Sequence, residues 1–288
     1  MKNWKKSILV LGLFAFTKMF GQTAPNVQFK TINEETPLEE VSCEYLMGHR
    51  VYLRESPSLK SKKMDVLDIG TRLTLKEKSE NATVINGVKS NWYCVSVGQT
   101  EGWVWGGMIA QKTIGSEANY DIKFVYGLES ITVNKEGILE AKHQIRAYKD
   151  GRQIDKIVFD GHTSSPLEFR NIGNKGLFNV EDILAFQIPD AEKGSAKGEM
   201  YIFWNNGKFT NVASLIDDYT ASYDKTESFV FPSDMEGIKS TIVLETIITD
   251  KARSTENKKL LFSFYKWDGY KLYKKEALPP AIEDLVSN

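Results

Sequence analysis

The amino-acid sequence predicts an all-β protein, with a small β-barrel followed by a larger antiparallel β domain. Two observations carry this prediction. Apolar residues recur at a period of two, as with Val51 and Leu53 beside Tyr52 and Arg54, or Leu73 and Leu75 beside Thr74 and Lys76. That alternation belongs to half-buried strands. Turn pairs separate the runs, among them Asn86-Gly87, Asp150-Gly151, Asn206-Gly207 and Asp268-Gly269, and such pairs favour tight hairpins. Only Pro279 to Val286 reads as helix, one turn or two before the chain ends.

The N-terminus has the parts of an export signal in order. Lys2, Lys5 and Lys6 precede an apolar run from Ser7 to Thr17, and Gly21 offers a small residue for cleavage. The run is about a dozen residues, short of the roughly 20 that cross a bilayer as a helix. Residues 1–21 are therefore expected to be a signal peptide, and the mature chain to work in the periplasm or outside the cell. No cysteine directly follows the run, which argues against a lipid anchor, and no later stretch is apolar enough to span a membrane. The formal net charge of -1 becomes -5 once Lys2, Lys5, Lys6 and Lys18 leave with the signal. A mildly acidic chain lacks the electrostatic footprint of a nucleic-acid binder.

Residues 22–42 are polar, with Glu34, Glu35, Glu39, Glu40, Pro25 and Pro37, and read as a leader strand or flexible arm. Strand-like runs then crowd residues 43–112. Val51 to Arg54 is followed by the Ser56-Pro57-Ser58 loop, and Met64 to Leu67 by the Asp68-Ile69-Gly70 turn. Leu73 and Leu75 mark a third strand, and Asn86-Gly87 a hairpin tip. Trp92 to Val97 and Gly102 to Trp105 supply two more. Five or more short strands in about 65 residues, with no helical period, suggest a small barrel. Cys43 and Cys94 are the only cysteines. Export permits a disulfide between them, closing a loop of about 50 residues for roughly 4 kcal/mol in the chain-entropy model. The alternative is two free thiols.

Four segments of this region carry a family likeness. Val51-Tyr52-Leu53-Arg54-Glu55-Ser56-Pro57-Ser58 resembles the opening strand and loop of bacterial SH3 domains. Leu67-Asp68-Ile69-Gly70-Thr71-Arg72-Leu73 resembles their glycine step. Asn91-Trp92-Tyr93-Cys94-Val95 and Glu101-Gly102-Trp103-Val104 are similar to their last two strands, and Met108-Ile109 fits the closing turn. The likeness spans about 65 of the 288 residues. It departs from the family at Cys94, where a basic residue is common, and at the Asn86-Gly87 hairpin, which lengthens one loop. The resemblance implies an SH3-like barrel that binds cell-wall peptides, glycans or protein segments. If Val104 faces the core, Trp103 and Trp105 point outward, as does Tyr52 beside Val51 and Leu53. Tyr52, Trp92, Trp103 and Trp105 are thus the candidate ligand-binding residues, since aromatics with a polar tip make good contact surfaces. The competing reading has Trp103 or Trp105 packed against the second domain or the leader.

Residues 120–278 remain strand-rich, and 279–288 form a tail. Gly198 to Phe209 is echoed by Leu260 to Lys271: an apolar strand ending in Trp204 or Trp267, an Asn-Gly or Asp-Gly turn, then an aromatic. Another apolar strand precedes each, Ile183 to Ile188 and Ile242 to Ile248. A unit of this kind, present twice and open to a third occurrence, suggests a repetitive antiparallel sheet. A sandwich or incomplete barrel is the expectation, with propeller-like blades as the alternative.

Catalytic groups are sparse. His49, His143 and His162 do not have metal-ligand spacing, and no pattern for a cofactor occurs. No cysteine follows Cys94, so a Cys-His pair in the second half is excluded by composition. Asp217-Asp218, and Asp160 near His162, are the carboxylates for a hydrolase reading, although adjacent acids usually mark a solvated loop. Asp65 and Asp68 read as surface charges, and Asn81-Ala82-Thr83 as a chance glycosylation sequon. The function expected is a non-enzymatic exported protein whose barrel binds a cell-wall (peptidoglycan) or protein ligand. The alternatives are a carboxylate-dependent cell-wall hydrolase, and an adaptor or inhibitor that binds a partner protein through the second domain.

Overall fold

A computed structural model describes residues 28–29, 43–161, 165–189, 196–251 and 257–275. The segment expected to be a signal peptide, most of the polar leader, His162 and the tail lie outside the described residues. Within them the chain forms β-strands, all paired antiparallel, and one 3-10 turn at Gly106–Met108.

The first six strands are β1 (Cys43–Tyr45), β2 (Val51–Arg54), β3 (Lys63–Leu67), β4 (Arg72–Ile85), β5 (Val88–Val97) and β6 (Thr100–Trp105). They make one sheet in the order β1-β4-β5-β6-β2-β3. Its inward residues follow the period-two pattern: Leu53, Leu73, Leu75, Tyr93, Val95 and Val104 join Leu46, Leu67 and Ile109 in one core. Phe29 from the leader is held against this core, its N–H donating to the Tyr93 hydroxyl at 3.0 Å.

The expected Cys43–Cys94 bridge is corrected: both thiols are free. Cys43 pairs with Thr74 and Cys94 with Glu77, on opposite sides of β4. Two ladder spacings of about 4.8 Å therefore lie between them, more than the roughly 7 Å between Cα atoms that a disulfide spans.

The chain leaves the barrel between Ala110, whose N–H donates to Tyr45, and Gln111, whose N–H donates to Tyr126. The second region starts there, earlier than the expected residue 120. Three meandering sheets follow. The first holds β7 (Lys112–Gly115), β8 (Lys123–Val133), β9 (Leu139–Lys149) and β10 (Arg152–Asp160). The second holds β11 (Phe169–Asn171), β12 (Asp182–Pro189), β13 (Ala196–Asn205) and β14 (Lys208–Ile216). The third holds β15 (Asp218–Tyr219), β16 (Tyr223–Val230), β17 (Ile242–Asp250), β18 (Asn257–Trp267) and β19 (Leu272–Lys274). Each sheet keeps its strands in chain order.

The sheets stack face to face. Leu184, Phe186, Met200, Ile202 and Trp204 of the second sheet pack on Phe124, Tyr126, Ile145 and Phe159 of the first. The alternate residues Ile183, Ala185, Tyr201 and Phe203 pack on Phe229, Phe231, Ile242 and Trp267 of the third. A sheet covered on both faces must be apolar on both, which is why Ile183 to Ile188 lacks an alternating pattern. Face-to-face packing of antiparallel sheets is the sandwich arrangement that was expected, here in three layers over residues 112–275.

The sequence echo has a structural basis, and it does occur a third time. Tyr148, Trp204 and Trp267 lie at or one residue before the end of the penultimate strand of their sheets, and each pairs with the residue five positions on: Gln153, Phe209 and Leu272. Each ring packs on the preceding layer. Tyr148 lies with Met47, Ile69 and Ala110 of the barrel. Trp204 meets Phe124 edge-on at 5.5 Å, and Trp267 meets Phe203 at 5.0 Å.

Candidate functional site

The barrel carries a cleft of about 210 Å³ on its outer face. Period-two alternation aims its residues there. Leu53 and Val104 point into the core, so their neighbours Tyr52, Arg54, Trp103 and Trp105 point away from it. Trp92 and Trp105 are direct cross-strand partners, as are Arg54 and Trp103.

The cleft brings together three of the four candidate aromatics, Tyr52, Trp92 and Trp105, but not Trp103. They differ in exposure. Tyr52 is 40% exposed, whereas Trp92 and Trp105 are 2% and 5% exposed. The outward direction expected for Trp105 holds, but the ring is covered. Val88, Trp92 and Trp105 share a cluster with Leu128, Ile131 and Ala141 of the first stacked sheet, and Trp103 packs at its margin. The indole N–H groups are satisfied inward. Trp92 donates to the Thr83 hydroxyl at 2.7 Å, and Trp105 to the Thr83 and Ser90 carbonyls at 3.0 and 3.1 Å. With their polar tips held, these rings serve as floor and wall.

Basic groups rim the cleft. His49 and Arg50 come from the turn before β2, where Arg50 has φ 55°. Lys63 sits over the Tyr52 ring, 3.8 Å from its centre. Arg54 lines the cleft and is only 8% exposed. Its Nη1 donates to the Ser61 carbonyl at 2.8 Å, fixing the loop after β2. Leu59 of that loop, Ile85 and Met108 complete the apolar wall. The basic rim was absent from the candidates drawn from sequence. The signal was available, since the alternation that turns Tyr52 outward also turns Arg54 outward.

The lengthened Asn86-Gly87 hairpin reaches the second region. The Ile131 N–H donates to the Asn86 carbonyl at 2.9 Å. Gly87 has φ +77°, and a Cβ there would lie 1.8 Å from the Ile131 carbonyl oxygen. The departure from the family pattern is thus a docking element.

The proposed hydrolytic carboxylates are occupied by neighbours. Asp160 lies 3.5 Å from the Lys142 ammonium. Asp217 accepts from the Tyr219 hydroxyl and the Glu227 N–H, and Asp218 from the Tyr223 hydroxyl. A second recess, of about 290 Å³, is lined by Lys112, Glu168, Phe169, Arg170 and Gln187. Its one carboxylate is paired with Lys112 at 2.8 Å. Among the described residues no three His, Cys, Asp or Glu side chains cluster as a metal site. Burial, with Glu101 and Glu77 adding to it against Lys76, pushes the Cys94 thiol up, away from the thiolate a nucleophile needs.

One end of the stacked sheets is distinctive. Loops there expose Tyr120, Phe178, Met235 and Tyr270 almost completely. The loops are tied together. Lys175 pairs with Asp234 at 2.7 Å, and the Trp267 indole N–H donates to the Asn179 carbonyl at 3.0 Å. Buried Asp182 accepts from the Ser116 hydroxyl, the Glu117 N–H and the Asn171 amide.

Among the described residues no helix is long and apolar enough to cross a membrane. No curated protein and no solved structure matches the chain. A family model does match part of it: residues 49–110, which hold the cleft, fit the bacterial SH3 domain, and no other part of the chain fits a family.

Proposed function

We propose that this is an exported, non-enzymatic binding protein whose SH3 domain holds a peptidoglycan or protein ligand in the cleft of Tyr52, Trp92 and Trp105. The observation that carries the reading is the aromatic cleft within the matched domain. Bacterial SH3 domains suggest binding modules, often associated with the cell wall. The neighbours that occupy Asp160, Asp217 and Asp218 favour binding over hydrolysis. Export rests on the N-terminal pattern of Lys2 to Gly21.

The test is co-sedimentation of the full chain with purified peptidoglycan. Wild type is expected to pellet, and Tyr52→Ala to stay largely in solution, because Tyr52 is exposed and its loss spares the core. Equal retention of both proteins argues against this cleft, and no retention of wild type argues against the wall.

The exposed loop end supports a second reading, an adaptor that grips a partner protein through the stacked sheets. Large apolar side chains on tied loops form a patch of the kind that marks interaction sites. In that case a Phe178→Ser, Met235→Ser double variant loses a partner co-purified from the cell envelope, whereas Tyr52→Ala keeps it.

A further inference from the structure

We infer that the cleft contains a carboxylate-binding site centred on Arg54, and that it takes the free carboxylate of a wall peptide and not the sugar chain. This rests on the wall-binding reading above and names the part of the ligand that is recognised.

The argument starts from an imbalance of charge. A guanidinium carries five N–H donors. Arg54 is more than nine-tenths buried, yet among the described residues its guanidinium makes one hydrogen bond, to the Ser61 carbonyl, and lies 5.7 Å from the centre of the Tyr52 ring. Among the described residues no carboxylate lies within 4.0 Å of Arg54, Arg50 or Lys63. A buried charge without a counter-charge is costly. An anion arriving in the cleft supplies what the fold leaves out. Arg is suited to the task, since its planar fork grips a carboxylate through two parallel hydrogen bonds.

The surroundings define the rest of the ligand. His49 already lies 3.8 Å from Asp68, while Arg50, with no carboxylate partner among the described residues, adds to the rim. Tyr52, Leu59, Ile85 and Met108 present an apolar wall beside the guanidinium. A volume of about 210 Å³ is below the roughly 300–1,000 Å³ of drug-sized pockets. Such a space suits the end of a peptide, with a small apolar residue next to its carboxylate.

The experiment uses the full chain and two probes. The first is peptidoglycan, native and with its carboxyls converted to methylamides by carbodiimide. Blocking is expected to lower wild-type retention at least about tenfold, the usual scale for a charge-assisted hydrogen bond. Arg54→Gln is expected to lose as much on native material and nothing further on blocked material, with Arg54→Lys in between. The second probe is N-acetyl-alanyl-alanine as acid and as amide, titrated by calorimetry, with the acid alone expected to bind. Arg50→Gln, on the exposed turn, gives a smaller loss without touching the Ser61 bond, and guards against misfolding of the Arg54 variants. The inference is overturned if blocking leaves retention unchanged, if Arg54→Gln still distinguishes native from blocked wall, or if acid and amide bind alike. Binding of the dipeptide acid with no retention on either wall sample keeps the carboxylate site and overturns the wall reading alone.

Discussion

The barrel and the stacked sheets are built from similar strands but bury them differently. In the barrel one sheet curls on itself, and Leu53, Leu73, Val95 and Val104 meet one another across a single core. In the stack each sheet depends on the next: Phe186 and Phe203 belong to the same sheet yet lie in different cores. A curled sheet keeps part of its outer face toward solvent, so outer residues that the stack leaves uncovered, such as Tyr52, are available for a ligand. An inner sheet of a stack has no such face, and its exposed chemistry moves to the loop ends, where Phe178 is found beside Met235 of the third sheet. The two halves thus offer binding surfaces of different kinds for the same physical reason.

The largest effect that bears on this contrast is expected at Trp204. Its ring is fully buried between sheets, against Phe124 at 5.5 Å and Phe209 at 4.7 Å. Trp204→Ala leaves a cavity that costs about 3–5 kcal/mol, measured by denaturant unfolding. Hydrogen exchange is expected to rise across β8, β12 and β13, which line that cavity, while β4 to β6 keep their protection. Equal loss of protection in the barrel breaks the contrast, because it makes the two regions one cooperative unit.

A smaller effect is expected where they join. Gly87→Ala places a methyl against the Ile131 carbonyl at φ +77°. The left-handed backbone costs an alanine about 1–2 kcal/mol, and the hairpin must also shift off β8. Gly98 is the control, with φ +60° and nothing within 4 Å of its added Cβ. Gly98→Ala incurs the backbone cost alone. The difference between the two variants, read from thermal unfolding, measures how firmly the barrel is docked.

Much of the barrel was legible in the sequence, because each of its features is local. Alternation at Val51 to Arg54, the Asn86-Gly87 turn and the Trp92 and Trp103 strands all fall where they were expected. The stack was legible only in part. The pairing of each strand-ending aromatic with a partner five residues on was visible at Trp204 and Trp267. Tyr148 was hidden because its partner is Gln153, not an apolar residue. Two-sided burial was also hidden, since a continuous apolar run such as Ile183 to Ile188 does not say what covers each face. For the site, alternation gave direction and not exposure: it turned Trp105 outward, where Leu128 and Ile131 cover it. The disulfide failed for a related reason. Spacing along the chain carried no information about β4 lying between Cys43 and Cys94.

The smallest effect concerns how the loop end of the stack is held. Asp234 is raised by partial burial, but hydrogen bonds from Lys175 and the Phe231 N–H, with the Lys175 charge, outweigh this and hold its carboxyl below the usual value of 3.8. A depressed carboxyl contributes stability above its unfolded value, and loses it as pH falls through the folded one. The Lys175–Asp234 pair is therefore expected to be intact at neutral pH and to fade below about pH 4. Asp234→Asn is expected to cost at most about 1 kcal/mol at pH 7, since both side chains are partly solvated. That deficit, followed by unfolding at a series of pH values, is expected to shrink progressively as pH falls below about 4. If it persists there, the Phe231 N–H contact and not the charge holds the loop. The pair tethers the segment that carries Phe178 to the one that carries Met235. In Asp234→Asn those two side chains are therefore expected to separate more freely, with little change at the barrel cleft. A barrel that responds as strongly as the loops means that the two surfaces are not independent.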